Sequence, residues 1–345
     1  MTSDRTTGAA SSSGGSGSAR GPEQAPGPGT PTPAVRAGSA SHGGYGGHGD
    51  GRLGAVGMVI GSAMSLQFGS AVAATLFPRA GALGIVALRL VFSALLLLVV
   101  CRPRLRGHTR TDWAAVTGLG IALGTMNTLF YQAIDRIPLG AAVTLELLGP
   151  LVLSVVGSRR LLSVLWAVLA FAGVYLLGSS GFGRIDFTGA AFALAAGAMW
   201  VAYIIFNSRT GARFPKADGL ALAMGLAALL SAPLGVVSAG GALLDPVTLG
   251  LGAAVAVLSS GVPYTLELFA LRRLPAATFA LLMSLMPVAA TAAGFLVLGQ
   301  HLEPLELVAI ALVVVASMGA VRTPPVRTPP REPSVPGTGG SGSGP

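Results

Sequence analysis

The sequence predicts an all-α integral membrane protein with ten transmembrane helices, arranged as two inverted five-helix repeats. Three observations predict this class. Of the 345 residues, 52% are hydrophobic and only 10% are charged, whereas soluble domains carry roughly 25% charged residues. The apolar residues form blocks long enough to cross a bilayer. The two halves of the chain also share an aligned pattern of prolines.

The length of the apolar blocks predicts helices rather than strands. A hydrocarbon core about 30 Å thick needs roughly 20 helical residues at ~1.5 Å per residue. Backbone groups without water must bond within their own segment, and the ~10-residue alternation typical of membrane strands does not recur. The predicted spans are residues 54–77, 83–101, 113–133, 139–157, 161–179, 188–206, 218–238, 247–270, 276–298 and 304–321.

Both ends of the chain differ from this apolar core. Residues 1–51 are rich in Gly, Ser and Pro and contain almost no large apolar side chains. Such a segment cannot bury enough surface to offset the entropy lost on ordering, and it contains no apolar h-region of a signal peptide. We therefore predict disordered tails over 1–51 and 322–345, a first five-helix repeat over 52–186 and a second over 187–321.

The basic residues between the blocks predict the orientation. If the N-terminus is cytoplasmic, the internal loops carry eleven basic residues and the external loops only three. Because short cytoplasmic loops are enriched in Lys and Arg, both termini are expected in the cytoplasm. The internal residues are Arg102, Arg104, Arg106, Arg110, Arg159, Arg160, Arg209, Arg213, Lys216, Arg272 and Arg273, and the external ones are Arg79, Arg136 and Arg184.

The second half of the chain repeats features of the first at an offset of 137 residues without a gap. Proline costs roughly 3 kcal/mol inside a helix, so proline matches carry more weight than matches of Ala or Leu. Five spans in each half is an odd number, which places the halves in opposite orientations. Inverted repeats are typical of secondary transporters, with substrate bound at the repeat interface. The proline pairs are Pro78 with Pro215, Pro138 with Pro275, and Pro150 with Pro287.

Three ionisable residues lie clearly inside the predicted spans: Arg89, Glu146 and Glu267. A charge at membrane depth costs at least ~2.5 kcal/mol on insertion scales, so each needs a partner or a wet cavity. The functional interpretation makes Glu146 a proton or amine site and Arg89 a carboxylate site. The alternative is a purely structural ion pair between them. For Glu267 the alternative is an interfacial carboxylate paired with Arg272 or Arg273.

Uncharged polar residues are candidates for the same cavity. We place Gln67, Asn127 and Tyr264 in the substrate or proton site, with polar contacts between helices as the alternative. Tyr131 and Asn207 lie near the ends of predicted spans, where we favour interfacial anchors over cavity residues.

Pro150 and Pro287 fall well inside predicted spans. A proline there frees a carbonyl and kinks the helix, which suits a hinge beside a cavity. A kink that serves only packing is the alternative. Two glycine pairs predict close contacts between helices, and they are Gly57 with Gly61 and Gly120 with Gly124.

Several classes of protein are disfavoured by what the sequence lacks. It contains no HExxH, GxSxG or Walker A motif, so neither an enzyme nor a self-contained ATP-driven pump is indicated. Cys101 is the only cysteine, and His42 and His48 form no recognisable ligand set, so no metal site or other cofactor is expected. The net charge of +9 lies in tails and loops, which argues against nucleic acid as a partner.

Segments in both halves resemble the drug/metabolite transporter superfamily, and within it the EamA branch of threonine/homoserine exporters. The resemblance covers about residues 52–321 and leaves both tails unmatched. The segments that carry it are Asn127–Pro150 with Ser158–Arg160 after it, Val262–Glu267, Leu274–Pro275 and Leu282–Pro287.

This resemblance implies a ten-helix fold in the bacterial plasma membrane and proton-coupled export of amino acids or related metabolites. The expected partners are a small-molecule substrate, protons and the lipid bilayer, and a homodimer is left open. We expect an amino acid to enter a central cavity by alternating access, with Arg89 attracting its carboxylate and Glu146 holding its ammonium or a proton. Export of drugs or nucleotide sugars, or a channel or signalling role, remains the alternative.

Both termini are expected on the cytoplasmic side, which fusions to alkaline phosphatase can test. Fusions after Arg110 and Arg322 should be inactive, because this reporter folds only outside the cytoplasm and basic loops stay inside. A fusion after Arg136, in a predicted external loop, is the matched positive control. Phosphatase activity after Arg110 or Arg322 would contradict the ten-span arrangement or its orientation.

Overall fold

The computed structural model describes residues 47–322, except 159–160, 180–185, 216 and 272. Among these residues every regular element is helical and no strand occurs. The predicted tails lie almost wholly outside the described residues.

Twelve α-helices follow one another along the described chain. The first seven are α1 (Gly47–Thr75), α2 (Phe77–Cys101), α3 (Arg110–Ile134), α4 (Leu139–Ser158), α5 (Leu161–Ser179), α6 (Phe187–Gly211) and α7 (Asp218–Ala239). The other five are α8 (Pro246–Ala256), α9 (Val262–Leu271), α10 (Ala276–Met283), α11 (Met286–Leu298) and α12 (Pro304–Arg322).

Nine helical segments of the described chain are long and apolar enough to cross a membrane. Two of them each contain two α-helices: Pro246–Glu267 joins α8 to α9, and Thr278–Leu298 joins α10 to α11. The fifth predicted span coincides with α5, whose apolar stretch Leu162–Leu177 is shorter than the others. The structure is thus that of a multi-pass helical membrane protein, with about nine spans where ten are predicted.

Polar residues at helix ends explain where some helices begin. The Thr109 hydroxyl accepts a hydrogen bond from the Asp112 N–H at 3.3 Å, and the Asp112 carboxylate accepts one from the Thr109 N–H at 2.9 Å. This reciprocal cap starts α3. Asp245 caps α8 by accepting from the Thr248 N–H at 2.9 Å, and this hydrogen bond lowers the pKa of Asp245 below its usual range.

Glycine and alanine let the helices pack closely. Helices within a bilayer associate through van der Waals packing, so small residues are enriched where they touch. A Cβ added at Gly120 or Gly124 of α3 would press against Ala223 or Ala227 of α7, which confirms this predicted glycine pair. The prediction for Gly57 is wrong, since nothing lies within 4 Å of where its Cβ would be.

Helices α4 and α6 meet backbone to backbone. A Cβ on Gly149 would overlap the backbone of Gly197, and one on Gly197 would overlap the backbone carbonyl of Glu146. Pro150 has no N–H, so it cannot donate to that carbonyl four residues earlier in the helix. Because the two glycines have no side chain, α6 can pack directly against the turn of α4 that carries Glu146.

The outer faces of the helices are strongly apolar. Val237, Phe171 and Leu53 expose 89%, 74% and 72% of their surface. Exposed large apolar side chains occur on most of the helices of the described chain. Such a surface fits lipid tails, in agreement with a multi-pass membrane protein.

Ion pairs join loops at the two ends of the helix bundle. At one end Arg213, just after α6, lies 3.3 Å from Asp112 at the start of α3. At the other end Arg136, just after α3, lies 3.7 Å from Asp186 at the start of α6. Exposed pairs of this kind contribute only ~0–1 kcal/mol. They show that α3 and α6 run antiparallel beside each other.

Gly197→Ala is expected to lower thermal stability, because the new methyl group meets backbone atoms that cannot rotate away. Overpacking of this kind typically costs ~1–3 kcal/mol. Gly57→Ala is the matched control, a helical glycine with open space around it, where alanine is neutral or slightly stabilising. Thermal unfolding in detergent measures both variants. Equal melting temperatures would contradict the packing described for α4 and α6.

Candidate functional site

A polar cavity of about 400 Å³ lies among the helices from both halves of the chain. Two further cavities in the described residues have no Asp, Glu, Lys or Arg in their lining. Of these three cavities, only the polar cavity is lined by Asp, Glu, Lys or Arg side chains. Its polar lining includes Gln67, Arg89, Asn127, Glu146, Ser259 and Glu267.

Most of the side chains predicted for a substrate or proton site meet in this cavity, although they come from five different helices. Tyr264 lies outside the residues whose side chains the structure describes. The side chains brought together are Gln67 of α1, Arg89 of α2, Asn127 of α3, Glu146 of α4 and Glu267 of α9.

Arg89 is 8% exposed and is held by an aromatic side chain. Its Nη1 donates a hydrogen bond to the Tyr131 hydroxyl at 3.3 Å, and the guanidinium carbon lies 5.4 Å from the centre of that ring. The arginine Nε has no hydrogen-bond partner among the described residues. No ion pair within 4.0 Å joins Arg89 to Glu146, although both side chains line the same cavity, and the structural pair stays the alternative.

Glu146 is as buried as Arg89, at 8% exposure. Its position is set by the Gly197 contact and by Pro150, which follows it by one helical turn. No described residue donates a hydrogen bond to its carboxylate. An ionised carboxylate without a partner is costly in a low-dielectric interior. The site is therefore suited to a carboxyl group that is protonated or that binds a cation.

Glu267 is half-buried and accepts a hydrogen bond from the Ser62 hydroxyl at 2.7 Å. The alternative for this residue was an interfacial pair with Arg272 or Arg273. Arg273 forms no such pair among the described residues, and Arg272 lies outside them. The cavity thus receives one carboxyl group from each half of the chain.

Amide and hydroxyl side chains also contribute to the polar lining. The Asn127 amide donates to the Leu123 carbonyl of its own helix at 2.9 Å. Gln67 and Ser259 are each 2% exposed. Within the described part of the chain, the Gln67 carboxamide oxygen and the Ser259 hydroxyl have no hydrogen-bond partner.

A π turn at Val257–Gly261 interrupts the helix between α8 and α9. The Val262 N–H bonds back to the first residue of this turn, and the next residue, Pro263, has no N–H. The Leu258 carbonyl therefore has no donor within its own helix. The Ser65 hydroxyl of α1 supplies one at 2.7 Å.

Two further contacts hold the π turn in place. The Ser93 hydroxyl of α2 donates to the Ser260 hydroxyl at 2.8 Å. Gly69 lets α1 touch the turn, since a Cβ there would overlap the Ser259 hydroxyl. π turns occur frequently at functional sites. Here the turn carries Ser259 into the wall of the polar cavity.

The two prolines predicted as hinges lie at different positions within their helices. Pro150 lies inside the continuous helix α4. Pro287 is the second residue of α11, just after Ser284 and Leu285 separate α10 from α11. Proline is well tolerated in the first turn of a helix. The structure shows a helix break only beside Pro287, and a hinge role for either residue stays a prediction.

Sequence analysis does not place Tyr131 or Ser259 in the site. The prediction of Tyr131 as an interfacial anchor is wrong, because its side chain is fully buried and contacts Arg89. Asn207 lines the cavity and is exposed, near the end of the bundle that carries Arg213. Pro263, four residues after Ser259, is the feature of the sequence that could have indicated an irregular helix at this wall of the cavity, because proline removes a helical hydrogen-bond donor.

Comparison with known proteins shows relatives that cover three quarters of the chain. The threonine/homoserine exporter RhtA of Escherichia coli (strain K12) is 41% identical over 261 residues, covering 75% of this chain and 88% of that protein. The protein of the same name from Salmonella typhimurium (strain LT2) gives the same identity and coverage. The model of the EamA-like transporter family matches residues 187–322.

The chain belongs to the EamA-like transporter family. Membership of this family confirms the resemblance found in the sequence, and it supports a membrane exporter. A protein of known crystal structure matches with a TM-score of 0.51 at 20% identity, over 79% of this chain and 96% of the other. At that identity the match shows the fold alone.

Ser65→Ala is expected to destabilise the EamA-like protein, because it leaves the Leu258 carbonyl without a donor. An orphaned buried carbonyl costs ~1–3 kcal/mol. Ser70→Ala is the matched control on the same helix, since its hydroxyl only adds a second bond to the Leu66 carbonyl of α1. Thermal unfolding in detergent separates the two variants. A control that loses as much stability as Ser65→Ala would contradict the role given to the π turn.

Proposed function

We propose that this EamA-like protein exports small amino acids such as threonine and homoserine, by proton-coupled alternating access. One observation carries the proposal: a buried arginine and two carboxyl groups from different halves line a single cavity at membrane depth. An amino acid presents the complementary charges, a carboxylate and an ammonium. The names of the relatives, threonine/homoserine exporters, support the same class of cargo.

We infer that the two halves are inverted repeats of five spans each, which makes ten spans in total. The packing of the helices supports this inference. Helix α2 packs on α7, α5 on α12 and α4 on α11, while the contact of α3 with α6 is matched by that of α9 with α1. If each helix is replaced by its equivalent in the other half, the same helix pairs are in contact. Inverted repeats bind substrate at their interface.

Equivalent positions of the two halves line the polar cavity, which supports a pseudo-two-fold axis through it. At the offset of 137 residues, several positions line the cavity together with their partners in the other half. These pairs are Leu66 with Tyr203, Ser70 with Asn207, Met126 with Pro263, Phe130 with Glu267, and Glu146 with Met283.

Arg89 is the proposed site for the carboxylate of the cargo. A guanidinium stays charged when buried and offers a planar pair of donors that matches a carboxylate. Tyr131 fixes the position of this group through one Nη atom. The Nε atom has no hydrogen-bond partner among the described residues. A bound carboxylate would give the buried positive charge the counter-charge that Glu146 does not supply at contact distance.

Glu146 is the proposed site for the ammonium of the cargo or, alternately, for a proton. Because its carboxyl group has no hydrogen-bond donor from the described residues, it is suited to bind a proton or a cation that enters the cavity. Cargo and proton then exclude each other at one carboxyl group. Such exclusion couples export of one to import of the other. Glu267, which is hydrogen-bonded to Ser62, is the second carboxyl group that could carry the proton.

The proton gradient is sufficient to drive this exchange. One elementary charge that moves through 100 mV yields ~2.3 kcal/mol, which corresponds to roughly a 50-fold concentration ratio. The exposed Asn207 lies near the end of the bundle that is predicted to be cytoplasmic, so cargo would enter there. The break before Pro287 and the helix around Pro150 are the proposed hinges for closing that entrance.

Glu146→Gln is expected to abolish proton-driven accumulation of threonine in proteoliposomes while binding stays measurable. Glutamine keeps the shape and polarity of the side chain but carries no exchangeable carboxyl proton. Glu303→Gln, an exposed carboxyl group outside the cavity, is the matched control and should accumulate threonine normally. Accumulation by Glu146→Gln would contradict this site. The same measurement on Glu267→Gln would then test the other carboxyl group.

A further inference from the structure

A hydrogen bond joins the two halves of the chain at the end of the bundle that carries Arg136. Helix α4 begins at Leu139, and the first N–H groups of a helix have no acceptor within it. The Leu139 N–H donates to the side-chain carbonyl oxygen of Gln300 at 3.0 Å. The helix that carries Glu146 is therefore capped at its start by a residue from the other half.

The backbone after α11 places the Gln300 side chain at this contact. Gly299 ends α11 in the left-handed conformation, with φ at 64°, which glycine adopts without strain. The Gln300 N–H then bonds back to the Gly294 carbonyl at 3.1 Å, as is typical of a helix that ends in glycine. Gln300 is thus fixed to α11 through its main chain and to α4 through its side chain.

Helices α4 and α11 also approach each other closely beside this bond. A Cβ on Gly140 of α4 would overlap the Thr291 hydroxyl of α11, and Leu139 is fully buried. Glu146 lies seven residues beyond Leu139, which is roughly 10 Å along the helix at ~1.5 Å per residue. The contact therefore lies between the polar cavity and the end of the bundle that carries Arg136.

The opposite end of the bundle is arranged differently. At the offset of 137 residues Thr291 corresponds to Ser154 of α4, and the start of α4 corresponds to the start of α10. Ser154 and Ala280 of α10 both line an apolar cavity of about 380 Å³. The polar cavity also reaches this end, at the exposed Asn207. Helix α4 thus packs on its partner at the Arg136 end, whereas a cavity lies between the equivalent segments at the other end.

We propose that Gln300 is the latch of a gate between α4 and α11, which closes the polar cavity toward the Arg136 end. This inference rests on the proposed alternating access and identifies the contact that breaks when the cavity opens at that end. In the closed gate the buried Leu139 N–H depends on the Gln300 oxygen, because buried backbone donors need a partner. In the open gate water replaces this acceptor. The apolar cavity beside Ser154 is the space into which the other end of α4 moves.

Labelling of a single cysteine tests the latch without any cargo. Cys101→Ser removes the only native cysteine, and Met286→Cys places one on α11 in the lining of the polar cavity. Sealed vesicles of both orientations are treated with a membrane-impermeant maleimide. From the Arg213 end, where the cavity is open, the reagent reaches this cysteine rapidly. From the Arg136 end it reaches the cysteine only while the gate is open.

In this background, Gln300→Leu should speed labelling from the Arg136 end about fivefold, the factor expected for the loss of one net hydrogen bond. The leucine side chain cannot accept from the Leu139 N–H, so the closed gate is destabilised relative to the open one. Gln300→Glu should restore slow labelling, because a carboxylate also accepts from the N–H at the start of a helix. Labelling from the Arg213 end should not become faster in either variant.

A second variant tests the same gate without changing the hydrogen bond. The methyl group of Gly140→Ala meets α11, so this variant should also speed labelling from the Arg136 end. Gly250→Ala, at a glycine of α8 with open space around it, is its matched control. His301→Leu, at the exposed neighbour of Gln300, is the control for Gln300→Leu. Both controls should label at the rate of the parent protein.

Labelling from the Arg136 end at the parent rate in Gln300→Leu and Gly140→Ala would overturn the latch, even if both variants melt at lower temperature. If Gln300→Leu does not fold, the rate measured for Gly140→Ala decides the question. Threonine counterflow by the wild type is measured separately. Its absence would overturn the proposed export, whereas faster labelling of the variants would still support the gate.

Discussion

The interior of a bilayer offers no water to polar groups, and this constraint organises the rest of the structure. It explains why Ser65 bonds the one carbonyl that the π turn and Pro263 leave without a helical donor. It also makes the exceptions informative. Of the five buried polar atoms without a partner in the described residues, three belong to Gln67, Arg89 and Ser259. All three residues line one cavity.

Close packing of small residues gives this polar cavity its position. Gly197 lets α6 rest on the turn of α4 that carries Glu146, and Gly69 lets α1 rest on the π turn. In lipid, such contacts replace the hydrophobic effect as the main force between helices. The same contacts join elements from both halves of the chain. The charged groups therefore meet between the halves, although Glu146 and Glu267 lie far apart in sequence.

Much of the fold follows from the sequence, because block length and hydropathy nearly determine a helix that crosses a bilayer. The helices found cover the predicted spans, but α5 contains a shorter apolar stretch, and the eighth and ninth spans are each divided into two α-helices. The buried charges Arg89 and Glu146 were predictable because a charge in an apolar block is costly and rare. The role of Tyr131 was not predictable, since a tyrosine near a span end has the same local pattern whether it faces the interface or an arginine. The π turn also escaped prediction, because its hydrogen bonds depend on serines of α1 and α2.

The central claim is that Arg89 and Glu146 recognise cargo rather than stabilise each other. Counterflow of L-threonine by the double variant Arg89→Leu/Glu146→Leu tests it most directly, because replacing a purely structural buried pair by apolar residues is often neutral. A thermal unfolding transition similar to that of the wild type would show that the variant folds. The account predicts a folded protein without threonine counterflow. Wild-type counterflow by the folded double variant would contradict the assignment of both residues.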